Sequence, residues 1–215
     1  MEITQYITIM EEAEGEITEK KSRFICNIFH IEDESQISNH VETLRKKHYQ
    51  AKHVCYAAIL GEGGEIKKYS DDGEPSGTAG RPMLEMLAGR ELTNVLVCVT
   101  RYFGGVLLGT GGLLRAYTDA LSAALDNASV VTCRLSRNIS CVVDYQTLGK
   151  IKYKLDSYEA AVVSEEYSDK VSLLINLPDS YTDSFIEFVT DLTGGKTVCI
   201  KLGIDWNCMR GNKQA

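Results

Sequence analysis

The first half of the chain carries a pattern of apolar and polar residues that predicts strands interleaved with helices. Some segments have the two-residue period or the continuous apolar character of strands, at residues 23–31, 51–60, 66–69 and 92–100. Other segments have apolar residues at helical spacing, at residues 35–49, 79–87 and 113–125. Ser35 is the predicted N-cap of the first helix, and a glycine loop over residues 103–112 precedes the third.

The pattern starts again after Ser129. The predicted order is strand, helix, two strands joined by a turn, helix and strand, at residues 130–145, 146–155, 160–167, 171–177, 179–192 and 197–204. This βαββαβ order is typical of ferredoxin-like domains. We therefore predict an α+β protein of two domains, residues 1–132 and 136–205, followed by a frayed tail at 206–215.

Composition and charge limit the possible partners. The chain has 215 residues and a formal net charge of −7, which argues against bulk attraction to nucleic acid or membrane but not against a local basic cleft. No apolar run approaches the length of a membrane span, and the acidic N-terminus lacks a signal-peptide core. We expect a cytoplasmic protein with no membrane partner and no sequence-specific DNA binding. The seven cysteines are dispersed without a CxxC pair, which predicts buried, reduced thiols.

Residues 70–118 hold half of the glycines, and every basic residue in this stretch is an arginine. Glycine density indicates backbone positions with positive φ or a close approach, and arginine suits phosphate or carboxylate. The stretch contains two predicted helix starts, whose free amides favour anions, with Ser76 or Thr78 as the N-cap of the first. The candidate anion or nucleic-acid site is formed by Arg81, Arg101, Arg115, Tyr102, Ser76, Thr78, Gly104, Gly105, Gly111 and Gly112.

Other residues of this region admit structural or catalytic roles. Secondary candidates are Lys21, Arg23, His53, Asp71, Asp72 and Glu74. The three carboxylates could hold Mg²⁺, pair with arginines or cap the next helix, and we predict no metal site. His53 and Cys55 share a strand face, which suits a nucleophile with its base, a pair of metal ligands, or a histidine beside a core thiol. The GTGG segment fits neither the P-loop nor the dinucleotide motif, so no cofactor is expected.

Two long motifs in this stretch, SDDGEPSGTAGRP and VTRYFGGVLLGTGGLLRAY, resemble the signature of the YigZ/IMPACT family. The resemblance covers residues 15–130 strongly and the remainder moderately. It implies a first domain like the second domain of a small-subunit ribosomal protein, and a domain pair like the last two domains of elongation factor G. Eukaryotic IMPACT proteins regulate translation by competing for the activator of an amino-acid-starvation kinase, through an extra domain that we expect to be absent here.

The sequence thus favours a non-catalytic binding module in translation or its regulation. Its expected partner is RNA, the ribosome or a translation-related protein, bound through the arginine and glycine surface. One alternative is a hydrolase that uses the loop at residues 71–78 with His53. Another is a module that binds only proteins, because fold alone is a weak guide to function.

Overall fold

The protein divides into two compact units, each with its own core. A computed structural model describes residues 3–210 and the side chains of residues 3–208. The first unit comprises Met1–Cys133 with Cys208–Ala215, and the second comprises Arg134–Asn207. The division falls within a strand, between the predicted domain bounds at residues 132 and 136.

The first unit contains an antiparallel sheet and three helices. Its elements in chain order are β1 (Gln5–Ile9), β2 (Ala13–Glu19), β3 (Ser22–His30), α1 (Ser35–Lys47), β4 (His53–Leu60), β5 (Ile66–Ser70), α2 (Gly80–Gly89), β6 (Val95–Tyr102) and α3 (Gly109–Asn127). The main sheet has the strand order β2-β3-β6-β4-β5, and every neighbouring pair is antiparallel. The sheet therefore brings the end of β6 beside the start of β4, where the register pairs Arg101 with His53.

The three central strands, β3, β4 and β6, are buried on both faces because apolar residues occupy both odd and even positions along them. One face packs on α2 and α3 through residues such as Phe24, Val97 and Tyr117. The opposite face packs on α1 through residues such as Phe29 and Leu96. Successive strand residues point to opposite faces, so neighbours in the sequence can enter different environments. This separation decides which predicted site residues lie together.

The second unit has the predicted βαββαβ order. Its elements are β7 (Val130–Val143), α4 (Tyr145–Lys154), β8 (Ala161–Tyr167), β9 (Val171–Pro178), α5 (Thr182–Thr193) and β10 (Cys199–Arg210), with short 3₁₀ turns before β8 and α5. Strand β7 pairs with both β9 and β10, and β8 lies beyond β9. The core is built by alternate strand residues such as Ile139 and Leu173, which pack with Phe185 and Val189 of α5.

The sequence missed strand β2 because the turn after it lacks the usual residues. Lys20 and Lys21 form this turn with φ values of 44° and 66°, a left-handed conformation usually taken by Asn or Gly. The predicted cap of α1 is also corrected. Ser35 does not cap, and the Asp33 carboxylate accepts the amides of Ser35 and Gln36 at 2.7 and 3.3 Å.

The C-terminal prediction also changes. The tail predicted at residues 206–215 is strand β10 as far as Arg210, and residues 211–215 lie outside the described part of the chain. Cys133 and Cys208 are joined as a disulfide, so the prediction of seven reduced thiols is wrong for this pair. The remaining cysteines are free, and those at Cys26, Cys55, Cys98 and Cys141 are buried.

Candidate functional site

The start of helix α2 is filled by a carboxylate of the protein itself. Asp71 Oδ1 accepts the backbone amides of Ala79 and Gly80 at 3.0 and 2.8 Å, and Oδ2 accepts that of Gly77 at 2.8 Å. The amides that would bind an external anion are therefore occupied. The expectation that Ser76 or Thr78 caps α2 is wrong, because no side-chain hydroxyl caps this helix. The Thr78 hydroxyl donates to the Pro75 carbonyl, and Ser76 is exposed.

Asp72 ties its loop to the neighbouring elements. Its Oδ2 accepts the Val54 amide at 2.6 Å, and its Oδ1 pairs with Arg45 of α1. The Asp72 carbonyl accepts a hydrogen bond from Nδ1 of His53 at 2.7 Å. The Asp72 backbone adopts the left-handed conformation, with a φ of 42°. The second aspartate thus fixes both the loop and the ring orientation of His53.

The third carboxylate of the motif forms a buried ion pair. Glu74 Oε1 accepts Arg101 Nη1 at 2.6 Å and the Tyr117 hydroxyl at 2.9 Å. The two charged side chains are 3% and 6% exposed. The Arg101 guanidinium also lies 5.4 and 5.5 Å from the rings of Phe24 and Phe103. Arg101 therefore has an internal counter-ion, which is neither Asp71 nor Asp72.

The geometry does not give Cys55 the role of a nucleophile. Its thiol lies 3.0 Å from the Asp71 carbonyl and 3.3 Å from the Tyr117 hydroxyl, and no hydrogen bond joins it to His53. Burial raises the pKa of Cys55 to about 12, so the thiol stays protonated at neutral pH. Burial likewise raises the pKa of Tyr117. Cys55 is a core thiol beside a histidine.

A pocket of about 420 Å³ opens where β4, β6 and α3 meet, and we call it the sheet-end pocket. It is lined by Lys52, His53, Glu74, Pro75, Arg101, Phe103, Leu107, Leu108, Gly109, Thr110 and Leu113. Most of these groups are apolar, and the polar ones come from four separate segments of the chain. Its volume is within the range of small-molecule sites, roughly 300–1,000 Å³.

Helix α3 begins at this pocket without a cap. It starts at Gly109, four residues earlier than predicted, so Gly111 and Gly112 are helical rather than part of a loop. No side chain caps its N-terminus, and its first turn holds no acidic residue. The amides of this turn therefore lack the carboxylate that fills the start of α2.

Two glycines shape the loop before α3. A Cβ on Gly104 would lie 2.0 Å from the carbonyl carbon of Lys21, so only glycine permits this close approach. The Gly104 amide donates to the Ser22 hydroxyl at 3.1 Å. Gly105 has a φ of 85°, where an L side chain is strained. The glycines at 104 and 105 thus hold the loop at residues 103–108 against the β2–β3 turn.

The remaining predicted residues are dispersed. Tyr102 points to the α1 face, opposite Arg101, where its hydroxyl bonds His48 Nδ1 at 2.9 Å. Arg23 pairs with Glu16 at 2.6 Å, and Arg81 pairs with Glu85 at 2.9 Å. Neither of these two arginines lines the sheet-end pocket. Of the three arginines expected at one anion site, Arg101 alone lines this pocket.

Four cations on the pocket lining, the β2–β3 turn and helix α3 have no ion pair among the described residues. Arg115 is exposed in α3, and no ion pair joins it to Asp119, which lies four residues further along the helix. Lys52 lines the pocket, and Lys20 and Lys21 form the turn in contact with Gly104. We call Lys20, Lys21, Lys52 and Arg115 the basic rim. These four side chains are cations without a paired carboxylate among the described residues, in a protein whose formal net charge is −7.

The described residues contain neither a metal-binding cluster nor a membrane-spanning helix. Within residues 3–208, no three His, Cys, Asp or Glu side chains are grouped so that they could hold a metal ion. No helix in the described chain has the length and apolar character needed to span a membrane.

Comparison with known proteins gives the family. The Impact N-terminal domain matches residues 20–125, and a domain of unknown function, DUF1949, matches residues 141–196. The IMPACT family member YvyE of Bacillus subtilis is 41% identical to this chain. The match covers 89% of this chain and 88% of the length of YvyE. The chain belongs to the IMPACT family. The family member YigZ of Escherichia coli is 32% identical over 88% of this chain and 91% of its own.

A solved structure shares the whole architecture. The crystal structure of a hypothetical protein is 29% identical, covers 94% of this chain and 99% of its own, and has a TM-score of 0.60. The Impact N-terminal domain of our chain contains every residue that lines the sheet-end pocket. The pocket is therefore a feature of the domain that names the IMPACT family.

Sequence reasoning missed several pocket residues of this IMPACT domain. Tyr117 lies outside the pocket lining, but its hydroxyl lies between Cys55 and the pocket residue Glu74, a contact that the helical spacing of residues 113–125 did not reveal. Lys52 and Thr110 carried no motif signal. Phe103, Val106 and Leu107 formed an available signal, because exposed apolar residues in a glycine loop are unusual, and they are 44%, 43% and 83% exposed.

Proposed function

We propose that this IMPACT family protein is a non-catalytic module in translation or its regulation that binds RNA, free or in the ribosome. The observation that supports this proposal is the basic rim. Lys20, Lys21, Lys52 and Arg115 have no ion pair in the described chain, whereas most other cations of the first unit are paired with carboxylates. Unpaired cations around one loop supply the local positive potential that phosphate requires.

The arginine surface of this proposal differs from the predicted one. Arg101 is paired with Glu74, and Arg81 is paired with Glu85, so neither brings a free charge to phosphate. The free charge comes instead from Arg115 and the lysines of the β2–β3 turn. Because these side chains are exposed, their removal should change binding without changing the core.

The hydrolase alternative has less support. A hydrolase needs a nucleophile within hydrogen-bond reach of its base. His53 bonds the Asp72 carbonyl, the Cys55 thiol bonds elsewhere, and the Thr78 hydroxyl donates to Pro75. Neither the Cys55 thiol nor the Thr78 hydroxyl is hydrogen-bonded to His53.

The test is the salt dependence of binding to a short, mixed-sequence single-stranded RNA. Each lost phosphate contact should lower the slope of log affinity against log salt by about 0.7 unit. We expect this change for Lys21→Gln, Lys52→Gln and Arg115→Gln. Lys67→Gln is the matched control, because Lys67 is exposed on β5 and has no ion pair in the described chain. Equal slopes for the rim variants and the control would reject RNA binding at the rim.

A further inference from the structure

The sheet-end pocket has a positive end formed by backbone. The first turn of α3 presents amides without a cap, and Gly109 and Thr110 of this turn line the pocket. Lys52 lines the pocket as well and has no carboxylate partner in the described chain. A helix start beside an unpaired lysine favours a bound anion.

The pocket wall also contains a buried polar group without a partner. Arg101 is 6% exposed and lines the pocket, and its Nε finds no hydrogen-bond acceptor in the described chain. A buried N–H without an acceptor is energetically unfavourable, and an acceptor on a ligand would remove this cost. Glu74 lies beside it, with one oxygen engaged by Arg101 and Tyr117 and no hydrogen-bond donor to the other among the described residues. The polar wall therefore offers a donor and an acceptor side by side.

The third feature of the pocket is a stacking surface. Phe103 lines the pocket, is 44% exposed, and has the Arg101 guanidinium 5.5 Å from its ring. Leu107, Leu108 and Leu113 complete the apolar lining. An exposed aromatic ring beside a guanidinium is the kind of surface on which single-stranded nucleic acids stack their bases.

We propose that the sheet-end pocket binds one nucleoside phosphate unit. The phosphate lies at the start of α3, the base stacks on Phe103, and its polar edge meets Arg101 and Glu74. A nucleobase edge carries both hydrogen-bond donors and acceptors. The carboxylate of a fatty acid or a simple amino acid would bind the amides at the start of α3, but such a ligand would leave Arg101 and Glu74 without hydrogen-bond partners. Single-stranded RNA supplies this nucleoside phosphate unit. The choice of RNA as the source rests on the proposed function, whereas the chemistry of the pocket does not depend on it.

Two variants of the full-length chain test this proposal. Phe103→Leu keeps the apolar volume and removes the ring, and it should weaken RNA binding by about tenfold without changing the salt slope. Thr110→Asp places a carboxylate in the first turn of α3, where it competes with phosphate and is compatible with the helix dipole. It should lose binding relative to Thr110→Asn while its thermal midpoint stays equal or rises.

Direct titrations identify the ligand and its source. Adenosine, guanosine, cytidine and uridine 5′-monophosphates, inorganic phosphate and N-acetyl-leucine are each titrated against the protein, with amide shifts of residues 101–113 as the readout. The proposal expects monophosphates to shift these residues and to compete with RNA. Equal competition by inorganic phosphate or N-acetyl-leucine would overturn it, because either result means that no base is recognised.

The outcomes separate this inference from the proposed function. If RNA binds through the basic rim but Phe103→Leu and Thr110→Asp bind as the parent does, the pocket inference fails and the proposed function survives. If monophosphates bind in the pocket but RNA does not bind, the pocket chemistry survives, and RNA as its source fails with the proposed function.

Discussion

At the scale of single residues, the three carboxylates at positions 71, 72 and 74 make contacts within the protein itself. Asp71 fills the start of α2, Asp72 binds Val54 and Arg45, and Glu74 neutralises Arg101. A buried ion pair contributes little net stability, but removal of one partner leaves an uncompensated charge. Arg101 is thus both a structural residue and part of the pocket wall.

A double-mutant cycle measures this role. Arg101→Met and Glu74→Leu should each lower the free energy of unfolding by about 3–5 kcal/mol, because each leaves its buried partner unpaired. The double variant should lose less than the sum of the two, since no charge then remains buried alone. Urea denaturation of the four proteins gives these values. Strictly additive losses would show that the two side chains do not depend on each other.

The sequence identified these residues but not their pairing. The charged residues at positions 71, 72, 74 and 101 indicated electrostatic interactions. Pairing of the three carboxylates with arginines was one of the alternatives. Glu74 and Arg101 are 27 residues apart, so their contact depends on the β4–β6 register and on the turn after β5. Because successive residues of a strand point to opposite faces of the sheet, Tyr102 points away from Arg101. The motif sequence alone does not show this separation.

At the scale of elements, the two motif helices begin differently. Both were predicted to present free amides, but α2 has the Asp71 carboxylate and α3 has no cap. The sequence could predict both helices from their apolar spacing. It could not tell which start is filled, because Asp71 reaches its amides from eight and nine residues upstream.

The role of Asp71 in α2 can be measured with one substitution. Asp71→Asn keeps the size but places an amide nitrogen against a backbone N–H, and it removes the charge that favours the helix start. We expect a loss of about 1.5–3 kcal/mol in the free energy of unfolding, the range for hydrogen bonds to a charged group. Asp119→Asn, an exposed site without an ion pair among the described residues, is the control. A change no larger than that of the control would mean that the carboxylate does not stabilise α2.

At the scale of the whole molecule, the pattern of apolar residues predicted those elements that bury a face in the core of their own unit. The βαββαβ order of the second unit followed from apolar periodicity because each element buries one face in the core around Phe185. In the first unit, the helices and central strands were predicted, whereas β1 and β2 were missed. Their turns carry lysines and acids instead of Gly or Asn, and edge strands need fewer apolar residues.

The separation of the cores predicts independent local stability within the full chain. Phe185 and Leu121 are fully buried, one in each core. Phe185→Ala should cost about 3–5 kcal/mol and Leu121→Ala about 2–5 kcal/mol. In native-state hydrogen exchange, Phe185→Ala should reduce the protection of β9 amides and leave those of β6 unchanged, and Leu121→Ala should do the reverse. If either variant lowers protection in both strands equally, the chain unfolds as a single cooperative unit, and the division at residues 133 and 134 has no energetic meaning.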